Sequence, residues 1–115
     1  MYFLIRFDVS HPGSLSLAQF HAIWDEEAKA TQGARDAGVL QGWKVVGQRV
    51  IVAIGQFDTH DALDRTLMEL PIMKRLGGAV TVEVLPIRPY DAFAADLAEL
   101  AELAEGVLLE EVASV

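Results

Sequence analysis

The chain contains no cysteine, which excludes disulfides, thiolate metal sites and a cysteine nucleophile. No apolar run approaches the roughly 20 residues needed to span a bilayer. The opening Met1-Tyr2-Phe3-Leu4-Ile5-Arg6 has neither the basic leader nor the small-residue cleavage site of a signal peptide. The expectation is a soluble, cytoplasmic protein with no membrane partner. Histidines are scarce, and His11, His21 and His60 share no ligand spacing, so no metal is expected. No Ser-His-Asp pattern, phosphate-cradling glycine loop or nucleotide fingerprint is visible.

Positive charge is missing from one end only. Residues 89–115 hold seven acids and no base, whereas residues 1–88 hold ten acids against nine bases. The net charge of −8 argues against nucleic acid, yet the body is almost neutral and the excess sits in the tail. Two regions follow: a folded body over 1–88 and an acidic helical extension over 89–115. With 115 residues of which 52% are hydrophobic, the chain suffices for one domain with a sizeable core.

Tyr2 to Val9 alternates Phe3, Ile5 and Phe7 with Leu4, Arg6 and Asp8, the period of a strand. Ser14 or Ser16 can cap a long helix to about Ala37, with Gly38 as its stop. Leu40 to Val46 and Arg49 to Phe57 read as strands joined by a hairpin at Gly47-Gln48. A helix from about His60 to Leu70 is expected to end at Pro71. After Gly77-Gly78 a last strand runs from Val80 to Leu85, and a C-terminal helix starts near Asp91.

The order β-α-β-β-α-β is that of an α+β, ferredoxin-like sandwich of the dimeric α+β barrel type, with an appended helix. Its helices cover one face of the sheet. Val45, Val50, Ile51, Val52, Ile54, Val80, Val82 and Val84 make the strands too apolar on both faces to leave the other wet. A homodimer or higher oligomer is therefore expected, the chain partnering itself. Arg6 and Glu83, on strands that pair in this fold, are expected to form a cross-strand ion pair.

A helical wheel isolates one charge. With Leu17 at zero and about 100° per residue, Phe20, Ile23, Trp24, Thr31 and Ala34 fall within a stripe from about 240° to 340°. Asp25, Glu26, Lys29 and Asp36 fall outside it, whereas Glu27 lies near 280°, in its middle. A carboxylate aimed at the sheet is costly unless paired or protonated. Desolvation raises its pKa towards neutrality, which suits a general acid/base. The structural alternative is a buried pairing with Arg6, Lys44 or Arg49 that merely fixes packing.

The chain also resembles the muconolactone Δ-isomerase family from Met1 to about Pro86. The likeness lies in Phe3-Leu4-Ile5-Arg6-Phe7-Asp8-Val9, Trp43-Lys44-Val45-Val46-Gly47, Leu70-Pro71 and Val82-Glu83-Val84. It implies an oligomeric, cofactor-free enzyme that shifts a proton within a small unsaturated lactone. The family's helix-borne glutamate, the proton carrier, falls on Glu27. The resemblance breaks at Arg49, Ile51 and Ala53, at Ile72 to Gly78 and in the acidic helix. Those departures point away from muconolactone towards a larger or less polar substrate, such as a polyketide-like intermediate.

The reading is thus a cofactor-independent isomerase or cyclase acting on a small unsaturated lactone, enone or polyketide-like carbonyl compound. Glu27 is its proton carrier, with Phe20, Trp24, Trp43 and Ile51 as pocket walls. Arg49 or Lys74 would hold a substrate carboxylate or an enolate oxygen. Two alternatives stand beside it: a non-catalytic oligomeric module binding a small ligand or a partner protein, and a cofactor-free monooxygenase.

Overall fold

The computed structural model describes residues 1–113, and side chains through residue 105; Ser114 and Val115, the end of the expected acidic extension, lie outside the described residues. Strand β1 (Tyr2–Val9) leads into α1 (Leu17–Asp36), then β2 (Leu40–Lys44), β3 (Val50–Gln56) and α2 (His60–Glu69). A short α3 (Pro71–Leu76), a 3₁₀ turn (Gly77–Ala79), β4 (Val80–Ile87) and α4 (Tyr90–Ala113) complete the chain. The strands form one antiparallel sheet in the order β2-β3-β1-β4. This is the α+β, ferredoxin-like arrangement read from the element order.

Alternation on β1 decides which face is core. Phe3, Ile5, Phe7 and Val9 are buried against the helices, where Phe20, Leu63, Ile72 and Leu76 meet them. The intervening Leu4, Arg6 and Asp8 point to the opposite face, beside Ile54, Val52 and Val50 of β3. Arg6 does stand opposite Glu83 in register. Its guanidinium, however, approaches Asp8 at 3.9 Å along its own strand, and no Arg6–Glu83 bridge forms among the described residues.

Local chemistry sets the element ends. Ser16, not Ser14, caps α1: its Oγ accepts from the Gln19 amide at 3.1 Å, and the Ser16 amide donates to Gln19 Oε1 at 2.8 Å. This reciprocal capping box satisfies two otherwise orphaned donors. At the other end Gly38 adopts φ 74°. The Gly38 amide then bonds to the Arg35 carbonyl and the Val39 amide to that of Ala34, a Schellman closure that needs a left-handed residue. Gly47, at φ 75°, turns the β2–β3 hairpin.

The main departure from expectation follows Leu70. Pro71 ends α2 and also begins a further helix, because its fixed φ and missing N–H suit a first helical position. The start of the segment where the family resemblance breaks, from Ile72, therefore forms α3, a helix absent from the expected element order. This short helix packs against both α1 and α2 and bridges them.

Helix α4 extends away from the body and gives the molecule a longest dimension of 72 Å. Its base is tied by Arg88, which bonds Asp96 at 2.7 Å and lies over the Phe93 ring. Among the described residues no helix is long and apolar enough to cross a membrane.

Candidate active site

Small residues leave a chamber between the sheet and the helices. Ala28 and Ala34 on α1 face Gly42 on β2 and Ala53 on β3, and a cavity of about 530 Å³ opens where larger side chains would have met. Apolar groups dominate its walls, including Ile5, Phe7, Ile51, Leu67 and Ile72. That size suits a small organic ligand.

Glu27 faces this chamber from the middle of α1. It is half-buried and pairs with none of Arg6, Lys44 or Arg49. Its Oε2 instead accepts the backbone N–H of Ile72 at 3.1 Å, while Oε1 makes no hydrogen bond among the described residues. One oxygen is anchored and the other is unengaged. The carboxyl is held above its ordinary pKa chiefly by burial; the Ile72 N–H pulls it down, and neighbouring Glu26 pushes it further up.

The structure brings Glu27, Trp24, Trp43 and Ile51 to one chamber. Trp43 reaches its rim from an edge strand and is 54% exposed. Phe20, Arg49 and Lys74 do not line the chamber. Phe20 is 1% exposed; the His11 ring stacks on it at 4.5 Å, and the Trp24 ring meets it edge-on at 6.1 Å. Arg49 lies over the Phe20 ring at 5.5 Å, so its cation is spent on packing. Lys74 bonds Glu69 at 2.7 Å on the surface. Both places assigned to substrate-holding cations are thus occupied by other interactions.

The cations that do reach the chamber are Arg35 and Lys44. Both carried a sequence signal. On the wheel that exposes Glu27, Arg35 falls at about 0°, on the edge of the same stripe. Strand alternation puts Lys44 on the helix-facing side with Leu40 and Gly42. The Ile72 amide carried none, because its position depends on α3. Among the described residues no group of three or more histidines and acids could hold a metal ion.

Fold and site together define the class: an α+β, ferredoxin-like protein whose long helix presents a carboxylate to a partly enclosed apolar chamber. The chain belongs to the muconolactone delta-isomerase family, whose profile matches residues 1–92. Membership implies an isomerase-type function. A solved structure described as the crystal structure of muconolactone isomerase at 3.3 Å resolution matches with a TM-score of 0.64 and 22% identity. The match covers 77% of this chain and 90% of that one, and the likeness is one of fold. Comparison with curated proteins yields no match. Most of α4 lies beyond the family match.

Proposed function

We propose that the protein is a cofactor-independent acid/base isomerase or cyclase whose proton carrier is Glu27. The carrying observation is the half-buried carboxylate with one oxygen anchored on Ile72 N–H and the other unengaged beside an apolar chamber. The substrate class is a small unsaturated lactone, enone or polyketide-like carbonyl compound. Glu27 breaks a C–H bond next to the carbonyl and takes the proton. The electron pair left behind delocalises onto the carbonyl oxygen as an enolate. The same carboxyl then returns the proton to another carbon of the conjugated system, or the enolate carbon attacks a second carbonyl carbon of the substrate, whose π bond opens to an alkoxide that takes the proton back from the carboxyl. Atoms and electrons balance within the substrate and one carboxyl, and a raised pKa lets that group serve both directions.

Trp24 and Ile51 wall the reaction, and water exclusion strengthens every electrostatic contact inside. A second copy of the chain covers the outer sheet face, where Val52, Ile54 and Leu85 are left without a helix. The enzyme works in the cytoplasm, and its acidic charge keeps it from nucleic acid.

The test is Glu27→Gln, with muconolactone as the first substrate and larger unsaturated lactones and polyketide-like ketones after it. Turnover is expected to fall at least about 100-fold while the fold is retained, a typical loss for a general acid/base. A folded variant with full activity overturns the mechanism.

A further inference from the structure

Helix α4 carries an apolar stripe that its own body leaves uncovered. It follows β4 directly and lies mostly beyond the family match, which ends at residue 92. Tyr90, Phe93, Leu97, Leu100 and Ala104 recur at alternating spacings of three and four residues, the repeat that keeps one seam facing a partner helix. Leu97 is 43% exposed and Leu100 49%, so the seam is open. A helix draws most of its stability from packing such a face, and beyond its base α4 stands clear of the body.

The placement of charge identifies what covers it. With Tyr90 at zero and about 100° per residue, the stripe centres near 315°. Asp91, Glu99, Glu102 and Glu105 then fall about 100° or more from that centre, on the outward side. Asp96 stands on the stripe's shoulder, and Arg88 holds it at 2.7 Å. The other shoulder positions are Ala94, Ala101 and Leu103. A groove rimmed by bases needs free acids on those shoulders and meets none. The outer sheet face, where Asp8 and Glu83 flank Arg6, offers an acidic helix no net positive charge. A symmetric contact, by contrast, sets one patch against its own copy, where like charges repel. A stripe cleared of free charge is what such a contact requires.

We infer that α4 pairs antiparallel with α4 of a second copy of this chain. With Leu97 facing Leu100, Phe93 faces Ala104, so a ring meets the smallest side chain of the seam and the layers interdigitate. The same register brings Glu102 and Glu105 beside the first turns of the other helix, where negative charge is stabilised by the exposed backbone N–H groups. Parallel helices would instead set the two acid-rich ends side by side. This contact is separate from the outer sheet face, so a pair formed there and a pair formed by α4 add to one another.

Analytical ultracentrifugation of the full chain tests the pairing. Leu97→Glu combined with Leu100→Glu puts like charges across the seam and is expected to cut the assembly mass to half or less. Glu102→Lys, on the outward side, should leave the mass unchanged. Urea unfolding followed through Trp24 and Trp43, and titration of the neutral fluorescent probe N-phenyl-1-naphthylamine into the chamber, should match the wild type in both cases and show that the body is intact. The absence of cysteine also allows a clean cross-link. Leu97→Cys and Leu100→Cys chains, mixed in reductant and then oxidised, should give more disulfide-linked pair than either chain alone.

A monomeric wild type, an unchanged mass in the double variant, or a loss of mass in Glu102→Lys overturns the inference. So does cross-linking of each single variant alone that equals that of the mixture.

Discussion

Replacing Glu27 by Gln should leave the fold as stable as the wild type, or more so, at neutral and alkaline pH. Gln keeps a carbonyl oxygen for the Ile72 N–H, 3.1 Å from Glu27 Oε2, and removes the ionisable group. Burial raises the carboxyl's pKa in the folded state. In the unfolded chain it titrates near the ordinary value of about 4.3. Below that value both forms are neutral, and the two proteins should be nearly equally stable. As pH rises towards the raised folded value, the unfolded chain ionises freely and the folded one resists, so the wild type loses stability relative to Gln. Above the folded value the gap is constant.

Partial exposure of Glu27 limits the size of that gap, but the hydrogen bond gives an independent scale. Glu27→Ala also removes the charge and strands the Ile72 amide, which costs about 0.5–1.5 kcal/mol relative to Gln. For a chain of this size that is a few degrees in melting temperature. Urea denaturation at about pH 4, 6 and 8 followed through Trp24 and Trp43 measures all three proteins. A Gln variant less stable than the wild type at the highest pH, with a gap that widens as pH rises, would refute the reasoning. It would mean that the folded protein stabilises the charged carboxylate.

Three further outcomes are expected. Ala53→Leu adds three carbons to the chamber wall. It should leave stability unchanged or raise it, by at most about 2 kcal/mol at roughly 0.8 per buried methylene, while abolishing probe binding; a loss of about 1–3 kcal/mol would instead reveal an overpacked core. A Cβ at Gly55 would stand 2.8 Å from Phe57 Cε2. Gly55→Ala should therefore displace a ring that lines the chamber, lowering the melting temperature and weakening the neutral probe together. Ser16→Ala breaks the capping box and should cost about 1 kcal/mol in urea denaturation without changing the affinity of the probe.

The chamber depends on a gap that the body leaves open. α3 packs against α1 and α2, and the small residues on α1, β2 and β3 that line the chamber leave its space unfilled. Filling such a volume with side chains is the ordinary route to stability for a small domain. This chain keeps the space and lines it with little polarity beyond Glu27, Arg35 and Lys44. The same shortage of polar groups leaves the half-buried Glu27 with few competing interactions there.

Local chemistry written along the chain determined the elements other than α3, and their order. Ser16 and Gly38 bound α1, Gly47 turns the hairpin, and alternation along β1 chooses the buried face. These signals act between residues within one or two turns of each other, so they are legible without coordinates. The stripe carrying Glu27 was legible for the same reason. The tertiary structure alone decided what meets that stripe. It brought the Ile72 amide, 45 residues away, onto the carboxylate, and it committed Arg49 to Phe20 and Lys74 to Glu69. Periodicity assigns a residue to a face. Which distant group stands opposite depends on how α3 leaves Pro71 and how the helices splay over the sheet, and those follow from packing across the whole core.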